Sequence, residues 1–269
     1  MIRTLRNIIK DNWEWRDQIW HLAVTEIQKE VRGSVLGWIW IVLTPAIYIG
    51  VLWLALSIGL RAGSPVDGVP YVAWLAAGVI PWQFCSAMLT GGSNVYRRYA
   101  YLVTRMRFPI SVICSFYTFA RLLIFLMTMV IVVGVMVGTG VHFTIYVVQF
   151  PVVLILMFLF WMSWSLLTSP LSALSKDFHS LIKAMSAPLF WLSGVFFDIN
   201  SIQVEWVKLV FGFNPVSFFV TGIRASLCEN FWFWDRSSVI MPFLGVFLIT
   251  LILALIVQSR LNTEVADVL

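Results

Sequence analysis

Six stretches of the chain are each long and apolar enough to cross a hydrocarbon core about 30 Å thick at a helical rise of about 1.5 Å per residue. They lie near residues 35–60, 70–93, 109–138, 146–173, 180–197 and 240–260. Lipid offers no water to a free peptide group, so each crossing must satisfy its own backbone, as a helix does. The expected architecture is an all-α membrane protein with six transmembrane helices. The fifth stretch is short and is interrupted by Pro188 and Gly194. Composition points the same way. Of the 269 residues, 60% are hydrophobic and 12% charged, against about 25% charged in a soluble domain. One core could not hide that much apolar surface.

Loop charge orients the spans. With the N-terminus inside, Arg3, Arg6, Lys10, Arg16, Lys29, Arg32, Arg97, Arg98, Arg105, Arg107, Lys176, Lys183 and Arg260 fall on the cytoplasmic side. Arg61, Lys208, Arg224 and Arg236 fall outside. This positive-inside bias places both termini in the cytoplasm.

Two units follow. Residues 1–34 form a cytoplasmic amphipathic interface helix, with Trp13, Trp20, Val24, Ile27 and Val31 at helical spacing and charges on the other faces. Such a stripe suits a helix lying along the inner membrane surface; the alternative is a soluble helix packed on a partner. Highly polar residues continue to Arg32, so a removable leader is not expected. Residues 35–269 form the six-helix membrane domain. Within it the inner loop 94–108 is rich in Tyr and Arg, suited to docking a partner or to anchoring on anionic lipid. Residues 198–239 form the outer segment. There 202–213 is amphipathic, 216–227 is too short to span and 231–234 is densely aromatic, the pattern of two short re-entrant helices.

The sequence is poor in catalytic chemistry. No G-x-x-x-x-G-K-[ST] phosphate loop occurs. The thirteen carboxylates lie outside or at the edges of the spans, whereas ion-coupled carriers commonly place acids within the membrane. His21, His142 and His179 are scattered, and Cys85, Cys114 and Cys228 form no ligand spacing. Neither a catalytic nor a metal site is expected, and active transport would draw its energy from another subunit. Arg121 is the one charge well inside a span. It either faces an aqueous path and an anionic group or is held by helix carbonyls or snorkelling. Trp82, Trp161, Trp164 and Trp191 lie deeper than an interfacial belt requires. With Phe84, Phe196 and Phe197 they are either core packing or a broad, weakly directional lining for sugar faces.

The run Val31-Arg32-Gly33-Ser34-Val35-Leu36-Gly37-Trp38, with Trp40 and Pro45, resembles the lead-in to the first span of permeases of polysaccharide ABC exporters. These move O-antigen, capsular polysaccharide and teichoic acid. Leu75-Ala76-Ala77-Gly78-Val79-Ile80-Pro81-Trp82-Gln83-Phe84 is similar to that family's second span, and 94–109 to its following basic loop. Ser172-Ala173-Leu174-Ser175-Lys176-Asp177-Phe178 is similar to a later inner loop, and Asn214-Pro215 through Gly222-Ile223-Arg224 to the outer re-entrant segment. At Ser193-Gly194-Val195 many relatives carry proline after the serine. The stretch from Asn214 to Trp234 leans towards teichoic-acid exporters.

The resemblance implies a homodimer in the bacterial cytoplasmic membrane bound to two copies of a separate ATPase, which carries the ATP and Mg. It implies that Tyr96, Arg97, Arg98, Tyr99, Tyr101 and Arg105 couple to that ATPase and that Arg121 and the aromatics line the path of a lipid-linked glycan or polyol-phosphate polymer. Arg32 is a candidate head-group contact. A multidrug or small-molecule ABC permease is the alternative, and an enzyme acting on polyprenyl lipids a further one.

Overall fold

A computed structural model of the chain describes residues 2–59, 68–102 and 108–268. Helices run as α1 (Ile2–Glu14), α2 (Arg16–Val31), α3 (Ile39–Leu54), α4 (Tyr71–Ala87), α5 (Val95–Arg98), α6 (Ile110–Gly138), α7 (Phe150–Leu174), α8 (Lys176–Trp191), α9 (Glu205–Phe213), α10 (Pro215–Leu227) and α11 (Ser237–Val268).

Among the described residues, five helical segments are long and apolar enough to span: Ile39–Ile58, Tyr71–Gly92, Ile110–Gly138, Ile145–Leu174 and Ser237–Arg260. The fifth expected span, 180–197, falls on the 16-residue α8, about 24 Å long and shorter than the other five. It starts on Ser175, whose hydroxyl accepts from the Phe178 N–H, and stops at Trp191, before the turn through Gly194. By length and composition a sixth candidate among the described residues is α9 with α10, bent by 92° at Asn214; α8, though short, runs beside α4 from the Ser93–His179 contact near its start to the Gly194–Arg224 contact past its end. Asn214 makes that bend by accepting the Val216 N–H on its side chain and donating to the carbonyls of Leu189 and Leu192.

The interior is built around α4. Of its membrane-length window 78% is buried, against 6% for the window containing α3. α4 is covered by α6 on one side and α10 on the other, while α7 and α11 pack lengthwise together. Pro81 and a π-helical turn at Met88–Gly92 distort α4, leaving backbone groups that need new partners. Ser169 supplies one by donating to the Gly92 carbonyl at 2.6 Å.

Residues 1–34 are two helices with a break at Trp15. Trp15 meets Phe108, Trp20 meets Phe119, and Ala23 and Ile27 pack against Ala120. α2 therefore runs down the side of α6. Two G-x-x-x-G spacings in the sequence make no helix contact within the chain: Gly33 and Gly37 are turn residues with φ of 82° and 51°, and Gly134 and Gly138 face open space. The three cysteines are buried and free.

Candidate functional site

At about 29 residues, or 43 Å, α6 is longer than the hydrocarbon core is thick. Arg121, about 16 Å from its first residue, is level with the start of α3 and not isolated in lipid. Its guanidinium makes an ion pair with Glu30 near the end of α2 and lies 5.0 Å from the Tyr117 ring centre. The carbonyl and snorkelling readings give way to a carboxylate partner that linear spacing does not reveal. Arg121 and Glu30 border a cavity of about 250 Å³ whose wall also carries Thr44, Gln83, Phe84 and Thr128. Phe84 is buried there against Phe125. The cavity thus holds a cation, a carboxylate and three neutral hydrogen-bonding groups within an apolar frame. That set can recognise an anionic, hydroxyl-rich group.

A second cluster sits on the same end of the molecule. Glu26 is 1% exposed and pairs with Arg98 at 2.5 Å and with Lys29 at 3.3 Å. Tyr99 is buried beside it, with Arg98 and Lys29 over its ring at 5.7 Å and 5.4 Å. Burial, with Glu26 close by, pushes the Tyr99 phenol well above its usual range, so it stays protonated. Tyr96 is fully buried and accepts from Gln258 of α11 at 2.7 Å, and Arg97 donates to the Ala173 carbonyl at the end of α7. Tyr101 is exposed, and Arg105 lies outside the described residues. Hence residues 95–99 are stitched to α2, α7 and α11 at once. Arg32 is exposed just past α2.

The aromatic candidates separate. Trp82 stacks on Phe190 at 4.7 Å, and Phe190 touches both Trp191 and Phe196, so these four form one patch between α4, α8 and the following turn. Trp191 is its exposed member at 63%. Next to the patch, Tyr48, Gln83, Ser86 and Thr90 line a groove of about 440 Å³ that also includes Trp82. Phe197 packs on Phe211 of α9. Trp161 is 1% exposed, enclosed by Phe160 and Trp164, and Trp164 turns its N–H to the Leu89 carbonyl. In this chain Trp161 belongs to the interior and Trp191 to a surface.

The opposite end carries a network built on a cation that loop counting assigned to the outer side. Arg224 of α10 is 4% exposed and donates to the carbonyls of Trp74, Gly194 and Val195 at 3.2, 2.8 and 2.7 Å. Its guanidinium lies 3.3 Å from the Trp74 ring centre, and the Trp74 N–H reaches Glu229 at 2.9 Å. Burial pushes the Glu229 carboxyl up, against the pull of Arg224. Arg236 closes the set against Asp198 and Glu229. Gly78 makes the room, since a Cβ there would stand 3.1 Å from the Arg224 guanidinium carbon. Gly194 has φ +69°, a conformation closed to proline.

Glu26, Glu30 and Phe190 escaped the linear reading, and Arg224 entered it only as an outer charge and the end of a re-entrant motif. Glu26 beside Ile27 is marked by a polar residue interrupting an otherwise apolar face, whereas Phe190 carries no such mark.

Residues 17–228 match the family described as ABC-2 type transporter. An O-antigen export system permease protein RfbA from Myxococcus xanthus is 24% identical over 231 residues, covering 86% of each chain. A permease of the same name from Klebsiella pneumoniae is 18% identical over 245 residues, covering 91% of this chain and 92% of its own. The match runs from the interface helix α2 through the first four spanning segments to the end of α10, the elements that hold the Glu26 and Arg121 clusters and the aromatic patch. The chain is a multi-pass membrane protein of the ABC-2 type transporter family.

Proposed function

We propose that the chain is the membrane-spanning subunit of an exporter that moves a lipid-linked polysaccharide of the O-antigen class across the bacterial cytoplasmic membrane. It works as a homodimer with two copies of a separate ATP-binding-cassette ATPase, which binds ATP and Mg. The observation that carries this reading is the correspondence, over 86% of both chains, with a relative named as an O-antigen export permease. The residues from Asn214 to Trp234, which by sequence lean towards teichoic-acid exporters, form α10 and the turn that closes the Arg224 network. Cargo is assigned from the relatives.

Orientation follows the basic loops: both termini, α5 and the Glu26 cluster face the cytoplasm. The outward face of α3 and the aromatic patch beside it are open in one copy, which suits a path completed by a second copy. ATP binding on the partner would push on residues 94–108, and the Glu26–Arg98 pair would pass that displacement to α2 and α6. Glu26→Gln keeps the side-chain volume and removes the charge. It is expected to lower cargo-stimulated ATP hydrolysis of the permease–ATPase complex several-fold while leaving complex assembly intact. Full stimulation would remove Glu26 from the coupling route.

The function itself is tested by depletion. Cells depleted of the chain are expected to accumulate a completed lipid-linked polysaccharide on the inner leaflet. Accumulation of a polyol-phosphate polymer would reassign the cargo, and accumulation of neither would overturn the export reading.

A further inference from the structure

Beneath the elbow between α1 and α2 lies a cavity of about 610 Å³ that neither the proposed path nor the coupling clusters use. Ile8 and Trp13 of α1, Ile19 of α2, Phe158 and Met162 of α7 and Leu255 of α11 form its walls. Its deep polar groups are already engaged. Ser115 donates to the Ser111 carbonyl, Ser163 to Leu159 and Asn12 to Ile8. A polar ligand would find little to hold it there, whereas hydrocarbon fits.

The rim has the opposite character. A groove of about 460 Å³ shares Leu5, Ile9 and Trp13 with the cavity and adds Arg6 and Lys10, and the cavity itself includes Arg16. All three cations are exposed. Lys10 lies 3.6 Å from Glu14 and Arg16 3.9 Å from Asp17, in pairs open to solvent. Such pairs are weak and yield readily to a better anion. The exposed indoles of Trp13 and Trp20 flank the opening, as rings do at head-group level.

We infer that this crevice is a lipid site, taking one acyl chain of an anionic phospholipid from the surrounding bilayer with its phosphate at Arg6, Lys10 and Arg16. The inference rests on the orientation proposed above, which puts α1 and α2 on the cytoplasmic side. It makes a bilayer lipid part of the joint between the interface helices and the α7–α11 pair, distinct from the cargo's own tail.

Photolabelling tests it. The purified full-length chain is placed in phosphatidylcholine nanodiscs containing a small fraction of phosphatidylglycerol with a diazirine in its acyl chain, and labelled peptides are mapped by mass spectrometry. Label is expected to concentrate on residues 158–166 and 251–255, several-fold above that from the same diazirine chain on phosphatidylcholine. Leu159→Trp, on an exposed wall of the crevice, is expected to remove it. The combined change Arg6→Glu, Lys10→Glu and Arg16→Glu is expected to erase the head-group preference without touching the core. Equal labelling from both head groups, labelling of α3 as strong as that of the crevice, or persistence in Leu159→Trp would each overturn the site. Displacement by polyprenyl phosphate in preference to phosphatidylglycerol would overturn the assignment to a bilayer lipid. Because the readout involves no transport, failure of the export reading would leave these outcomes unchanged.

Discussion

Replacing Arg224 with methionine is expected to destabilise the fold by about 3–5 kcal/mol, the usual effect of removing one partner from a buried charge network. Methionine fills similar space but donates nothing. The carbonyls of Trp74, Gly194 and Val195 lose their donors at once, and the buried Glu229 keeps only the Trp74 N–H and the more distant Arg236. Thermal melting of the purified chain should fall by on the order of 10 °C, with much of the protein lost from the membrane fraction. Arg224→Lys should rescue little, because a point charge on a flexible stem cannot reproduce a planar fork aimed at three carbonyls. Gly78→Ala offers an independent check. Its methyl group would press on the guanidinium and on the Val195 carbonyl, 3.3 Å away. It should therefore be damaging alone and nearly silent in the Arg224→Met background, since the two changes share one contact. An unchanged melting temperature in Arg224→Met would refute the stabilising role of this network.

The second large effect is on transport. Arg121→Leu is expected to lower export at least about tenfold, equivalent to roughly 1.4 kcal/mol in the rate-limiting step, while the chain still reaches the membrane. Glu30 is part-exposed, so losing its partner leaves it with access to water, and folding should survive. The exchanged pair Arg121→Glu with Glu30→Arg separates two roles. It restores an ion pair between α2 and α6, so abundance should match the parent chain. A cation is then missing from the α6 wall of the cavity, and export should remain low if Arg121 meets an anionic group of the cargo. Full recovery of export in the exchanged pair would make the residue a structural tie and nothing more. Polysaccharide at the cell surface, normalised to permease in the membrane, is the measurement.

The architecture was largely legible along the chain because burial in lipid imposes a local rule. Each crossing needs about twenty apolar residues, and four of the six expected stretches, at 70–93, 109–138, 146–173 and 240–260, coincide with spanning helices to within a few residues at the ends, apart from the inward extension of α11. The first does so as well, with its helix beginning at Ile39 after the Gly33 and Gly37 turns. The fifth falls on α8, which ends at Trp191 although apolar composition continues past it: Gly194 turns the chain, and its carbonyl faces Arg224. The bend between α9 and α10 was marked by Asn214-Pro215, a side chain that accepts a neighbouring N–H followed by a residue with fixed φ.

The candidate site was legible only in its parts. Trp82, Trp191 and Phe196 could be named from depth and chemistry, but Phe190, which joins them, looked like any other apolar residue. Trp161 has the same chemistry as Trp191 and lies inside the core instead. Which face of a helix meets a neighbour depends on residues tens or hundreds of positions away.

That division has one physical root. Hydrophobicity and positive charge act on each segment separately through the solvent it sits in, so the sequence alone determined that this chain lives in a membrane as a bundle of helices with its basic residues concentrated on one side. Ion pairs and ring contacts act between segments, at separations of a few ångströms set by packing. Only the tertiary structure could therefore decide that Arg121 answers to Glu30, that Glu26 ties α2 to Arg98, and that Arg224, counted as an outer-loop charge, is buried in the space left by Gly78.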